Sequence, residues 1–171
     1  MSSPAVIKQD SKSFKALGML RWEDGKDHEL PQDFADMLGW KELAKKVDSA
    51  YHSITEKGYI LVLCDNYDEA GAINYYSKIK GMEAISFNAD YINWFPLDKK
   101  IIHVIQVQEK DEPENPEDLA RFKTITKFSE ITDPFARESG TKIYVMKNAT
   151  VDINKLLEQR LQERAAQTAG K

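Results

Sequence analysis

Cysteine is almost missing from this chain, with Cys64 the single one in 171 residues. An internal disulfide is therefore excluded, and stability has to come from packing. Cys64 ends an apolar run and has no histidine near it in sequence, so it reads as a small buried hydrophobe rather than a nucleophile. Long apolar runs are missing too: none approaches the roughly 18–20 residues needed to cross a bilayer. Residues 1–10 lack the basic start and apolar middle of a signal peptide. A basic surplus is absent, since 24 Lys and Arg stand against 28 Asp and Glu for a net charge of −4. Phosphate backbones need a basic patch, so the reading is that nucleic acid is not a partner. Neither G-x-G-x-x-G nor G-x-x-x-x-G-K-[ST] occurs, which argues against a nucleotide cofactor. No serine lies in a G-x-S-x-G elbow, and no internal repeat is present.

What is present is an alternation of helix and strand signals. The six residues from Tyr59 to Cys64 are all apolar or aromatic, as a strand covered on both faces requires. Further strands are expected over 83–87, 101–108, 123–131 and 141–147. A helix is expected from Trp40, whose partners Leu43, Ala44, Val47, Ala50, Tyr51 and Ile54 recur at helical spacing, with Gly39 as N-cap and Glu42 facing the exposed N–H groups. Others are expected over 32–38, over 69–80 with Asp68 as N-cap, over 117–122, and after Asp152. Glu109 to Glu117 is acidic with two prolines and must be a surface loop. The expected fold is an α/β layered sandwich: a mostly parallel central sheet of about five strands, an antiparallel edge strand from 141–147, and helices on both faces. Residues 13–164 would form one domain, between a disordered N-terminal tail over 1–12 and a C-terminal tail over 165–171.

The densest chemistry follows the strand at 59–64. Asp65, Asp68 and Glu69 are three carboxylates within five positions, placed at a strand end where ligands of open α/β sheets bind. A metal site or an acid/base pair is one reading. Helix capping by Asp68 and Glu69, with Asp65 solvated, is the other and the better founded. Gly71 reads as a point of close helix–sheet packing. Asn88-Ala89-Asp90-Tyr91-Ile92-Asn93-Trp94-Phe95 mixes amides with aromatic faces, a combination suited to sugar rings and equally to a core-capping loop. Because both loops follow strands expected to be neighbours, Asn66, Tyr67, Glu69, Asn88, Tyr91 and Trp94 are candidates for one glycan-facing cleft. No catalytic residue and no metal ligand is assigned. His52 reads as a helix-surface residue and His103 as a strand residue facing a neighbour. His28 lies in a polar loop near Asp33 and Asp36.

Four blocks carry a resemblance. They are Arg21-Trp22-Glu23-Asp24-Gly25 with His28 and the run from Leu30 to Trp40; Asn66-Tyr67-Asp68-Glu69-Ala70-Gly71-Ala72-Ile73; the run from Asn88 to Trp94; and Asp133-Pro134-Phe135-Ala136 with Ile143-Tyr144-Val145. In that order the chain resembles, from about Arg21 to Lys147, the extramembrane C-terminal domain of bacterial glycosyltransferase family 39 and its dolichyl-phosphate-mannose-protein mannosyltransferase-like and aminoarabinose-transferase-like relatives. Asp68 replaces the glycine of many relatives, and the block from Asn88 departs from their glycine- and histidine-containing form. The resemblance implies an enzyme that moves a sugar from a polyprenyl-phosphate carrier to a protein or lipid acceptor on the extracytoplasmic, periplasmic side of a bacterial membrane. It also implies that the catalytic carboxylates belong to a membrane-embedded portion, which would be this domain's first partner. On that reading the domain is inactive alone, and it contributes to holding a glycan or acceptor. Two alternatives stand beside it: an interaction module docking on a membrane partner through Trp40 and exposed aromatics, and a free-standing metal-dependent enzyme built on Asp65, Asp68 and Glu69.

Overall fold

The computed structural model describes residues 4–9, 11–113, 117 and 120–169. Its centre is a five-stranded mixed sheet in the order β2-β1-β3-β5-β4. The strands are β1 (Tyr59–Cys64), β2 (Ala84–Ser86), β3 (Ile101–Gln108), β4 (Phe122–Glu130) and β5 (Lys142–Ala149). β1 pairs in parallel with both β2 and β3. β5 is antiparallel to β3 and to β4, so β5 alone runs against the other four. The expected α/β sandwich is what forms. The antiparallel strand, however, lies one place in from the edge, because β4 takes the outer position and β5 fills the gap between it and β3. β4 manages that outer position with an exposed face carrying Lys123 and Lys127, which discourages edge-to-edge pairing.

Alternate residues of the strands feed two cores, as the period of an extended chain dictates. Val62, Cys64, Ile105, Val107, Ile143 and Val145 face one side. Against them pack α4 (Trp40–Ser53), through Leu43, Val47 and Ala50, and α5 (Tyr67–Tyr76), through Ala70 and Ile73. Leu61, Leu63, Ile85, Ile101 and Val104 face the other side, where α6 (Ile153–Ala169) supplies Ile153 and Leu157. Asp152 caps α6 by accepting from the Lys155 N–H at 3.2 Å.

Several local expectations are corrected. The N-cap of α5 is Asn66, not Asp68, and the helix ends at Tyr76 rather than near Gly81. Asp68 instead falls inside the first turn and is exposed. The short helix after Pro31 is α3 (Gln32–Ala35). Residues 4–9 and 11–16, much of the expected tail, form α1 (Pro4–Gln9) and α2 (Ser11–Ala16), and Ile7 is buried. Helix α6 runs through the stretch expected to fray from 165, as far as Ala169. Of the helix expected over 117–122, residues 118 and 119 lie outside the described residues, Glu117 is helical, 120–121 form a turn, and the last position, Phe122, opens β4. Among the described residues, no helix is long and apolar enough to cross a membrane.

Gly39 does cap α4, with a φ of +84° and Ala136 Cβ only 3.0 Å from where a side chain would begin. Glu42 has a different task from the one its position suggests. Its carboxylate accepts from the Thr132 N–H at 2.9 Å, the Thr132 hydroxyl at 2.6 Å and the Asp133 N–H at 3.2 Å, and it also pairs with Lys46. Burial would raise its pKa, but the bonds from Lys46 and Thr132 outweigh burial and hold it at about 2. An acid held below its unfolded value stabilises the fold above that value and loses the contribution as pH falls toward 2. Glu42→Ala should therefore cost about 1–3 kcal/mol at neutral pH by urea denaturation, with the difference from the parent chain closing between about pH 4.5 and 2.

Candidate functional site

The carboxyl ends of β1, β2 and β3 are laced together by polar side chains, and the lacing starts from the sequence Asp65-Asn66. Asp65 accepts from Gln106 Nε2 at 2.8 Å and from the Glu109 N–H at 3.0 Å. Its backbone carbonyl accepts from Asn88 Nδ2 at 2.9 Å, which ties in the β2 end. Asn66 forms a capping box with Glu69: Asn66 Oδ1 accepts from the Glu69 N–H at 2.8 Å, and Glu69 Oε2 accepts from the Asn66 N–H at 3.3 Å. Asn66 Nδ2 donates to Glu109 Oε1 at 2.9 Å. One asparagine thereby fixes both the start of α5 and the exit from β3.

The electrostatics here are unusual. Glu69 is 0 % exposed and its Oε1 has no hydrogen-bond partner among the described residues. Burial raises its pKa to about 9; the Asn66 N–H opposes this, and the charges of Asp65, Glu109 and Glu138 add to it. At neutral pH Glu69 is a neutral acid. Asp65 is raised by burial to about 6, with its bond from the Glu109 N–H working the other way. Burial and Glu109 likewise raise Glu138. Burial pushes the Cys64 thiol well up, leaving it protonated and inert.

Two hollows flank this lacing, one on each face of the sheet, and Glu109 borders both. On the α5 side is an open groove of about 990 Å³. Trp40, Tyr67, Tyr75, Tyr76 and Tyr91 supply its aromatic walls, while Asp36, Asp68, Arg137 and Glu138 supply charge. Arg137 is braced by Asp36 at 3.3 Å and Glu23 at 3.4 Å, and its N–H donates to Ala35 O at 3.2 Å. Of the residues expected to share one cleft, Asn66, Tyr67 and Tyr91 line this groove together. Trp94 stands beside it, 58 % exposed, with its ring 5.0 Å edge-on from Tyr91. Glu69 lies beneath, sealed off. Asn88 faces the hollow on the other side of the sheet.

Gly71 also lines the groove rather than the helix–sheet contact, which Ala70 and Ile73 make. A Cβ at Gly71 would meet only the Tyr91 hydroxyl, at 3.6 Å. Gly71→Ala should therefore raise the urea midpoint by the equivalent of about 0.5–1 kcal/mol, the ordinary gain for alanine over glycine inside a helix. A fall in stability would mean that the position needs glycine for packing after all.

The carboxylates Asp65, Asp68 and Glu69 do not converge: one is bonded to the β3 end, one is exposed, one is buried in the capping box. Among the described residues, no group of three or more His, Cys, Asp or Glu is placed to hold a metal ion. Two of the histidines, His28 and His103, are structural, and His52 is exposed on the surface of α4. His28 stacks on Trp22 at 3.7 Å and pairs with Asp24 at 2.9 Å, not with Asp33 or Asp36. Buried His103 accepts from the Asn148 N–H at 3.2 Å through Nδ1, which leaves Nε2 to donate to Lys57 O at 3.3 Å. No sequence signal marks Tyr75, Tyr76 or Arg137 as site residues, and Trp40 is marked only as a docking aromatic. They sit on three separate elements that only the folded sheet brings to one place.

No protein-family model, no curated protein and no solved structure matches the chain.

Proposed function

We propose that this chain is the extramembrane accessory domain of a family 39-like glycosyltransferase, and that the aromatic groove beside α5 holds part of a glycan or of the glycosylated acceptor. One observation supports this above the rest. Three of the four blocks that carry the resemblance, scattered over more than fifty positions, each supply lining residues to this groove, and the fourth ends one residue before another. Asp36 and Trp40 come from the first, Asn66, Tyr67, Asp68, Gly71 and Ala72 from the second, Tyr91 from the third, and Arg137 directly follows the fourth. Gly39 against Ala136, and Arg137 against Ala35 and Asp36, join the first block to the last. Aromatic faces cover the C–H faces of a sugar, and carboxylates, amides and an arginine serve its hydroxyls. Sugar transfer from a polyprenyl-phosphate donor would fall to a membrane-embedded partner on the extracytoplasmic side.

Saccharide titration read by amide chemical shifts tests the assignment. Mannose-containing oligosaccharides should shift Tyr67, Gly71 and Tyr91 saturably, and Tyr91→Ala should weaken binding by roughly tenfold. Silence of those amides toward a panel of neutral, acidic and amino sugars would remove the glycan reading.

A second reading rests on exposure. Tyr75 is 81 % exposed, and Tyr67 and Trp94 are more than half exposed, as aromatics of a docking surface would be. On that reading the same groove receives a segment of the membrane portion. A peptide array of that portion's extramembrane loops would bind through Tyr75 and Trp94, and the saccharides would not.

A further inference from the structure

The second hollow lies on the opposite face of the sheet, beneath α6, and owes nothing to the groove reading. Its volume of about 500 Å³ falls within the range of about 300–1,000 Å³ found for small-molecule sites. Leu61, Leu63, Val104 and Met146 form the floor, and Ile153 and Leu157 form the roof. Ile125 of β4 lines its outer side.

The mouth carries charge of both signs. Arg160 and Arg164 are four residues apart on α6 and so share one side of the helix. Both lie over the Phe87 ring, their guanidinium carbons 5.9 and 5.4 Å from its centroid. Arg164 is held there, donating to Phe87 O at 3.0 Å and Asn88 Oδ1 at 3.3 Å. Asp65, Glu109 and Glu112 also line the hollow, as does Arg121, which pairs with Glu117 at 3.5 Å. Asp65 is already engaged through both oxygens, by Gln106 and the Glu109 N–H. An apolar body fits the walls, and a negative head fits beside the arginines rather than the carboxylates.

We propose that this cavity binds a small amphipathic anion, with its apolar chain beneath α6 and a single carboxylate held between Arg160 and Arg164. The planar guanidinium fork suits a carboxylate in two-point contact, and its position on Phe87 leaves the fork at the cavity mouth.

Amide shift titration of the full chain with decanoate tests this, with decanol and decyltrimethylammonium as uncharged and cationic controls. Decanoate should shift Leu63, Val104, Met146 and Leu157 saturably and bind roughly tenfold or more tightly than either control. Arg160→Glu, an exposed change that should leave thermal unfolding unaltered, should remove that advantage. Ile125→Trp should block all three ligands by filling the hollow. The proposal is overturned by an absence of saturable shifts at those four residues. It is equally overturned by equal affinity for decanol, by an unchanged affinity in Arg160→Glu, or by shifts confined to Trp40, Tyr67 and Tyr91.

Discussion

Glu69→Gln should flatten the dependence of stability on pH between about 6 and 9, where the parent chain should lose stability steadily. The sign follows from the raised acid. In the folded state Glu69 keeps its proton to about pH 9, whereas an ordinary glutamate has lost it by about 4.5. Between those values the unfolded chain binds fewer protons than the folded one, so unfolding becomes easier as pH rises. The accumulated loss is on the order of several kcal/mol, since each pH unit of difference is worth about 1.4 kcal/mol. Asp65, raised to about 6, adds a smaller fall at lower pH, and that limb should survive in the variant. Glutamine keeps the carbonyl that accepts from the Asn66 N–H, so the capping box remains and only the titration is deleted. Urea midpoints across the pH range give the answer. An unchanged slope in Glu69→Gln would place the linked proton on another group.

Gly58→Ala should be among the most damaging single-methyl changes available in this fold. Gly58 precedes β1 with a φ of +141°, a conformation L side chains rarely adopt, and a Cβ there would stand 2.5 Å from Ile102 Cβ. No rotation relieves a clash between two Cβ atoms, so the start of β1 would have to separate from β3. Strain and overpacking together predict a loss of roughly 3 kcal/mol or more. The register between Tyr59 and Ile60 is already irregular at this point, which leaves little slack. Denaturation of Gly58→Ala beside Gly81→Ala is the informative comparison. Gly81 has a φ of +76° but nothing within 4 Å, so the alanine there meets backbone strain without the clash. Equal losses would show that the contact with Ile102 is unimportant.

The strands were the most legible part of the sequence. β1 begins and ends where an unbroken apolar run does, and β3 follows a run dense in Ile and Val, because both are covered on two faces. Helix α4 is readable from its spacing for the opposite reason, since only one face of it is buried, through Leu43, Ala44, Val47 and Ala50. The start of α5 was misread, since Asp68 and Asn66 are both good caps and the choice lies with the hydrogen bond from Asn66 to Glu109 across the sheet. Nor could the neutral state of Glu69 be read. Its identity as a first-turn acid suggests a charge, and only burial under the strand ends reverses that. The candidate cleft was half legible. Loops after adjacent strands do gather at one end, but residues there divide between the two faces of the sheet, and this division sends Asn88 away from Asn66, Tyr67 and Tyr91.

The position of β5 has a consequence for how the chain matures. The last of the described strands is an inner one, and among the described residues it is the only strand paired with β4. Until residues 142–149 arrive, β3 presents a bare, apolar flank and the whole of β4 waits unpaired, a span in which a nascent chain is exposed to mispairing. Arrest of synthesis anywhere between Glu130 and Lys142 would leave three joined strands and one orphan, never a smaller working sheet.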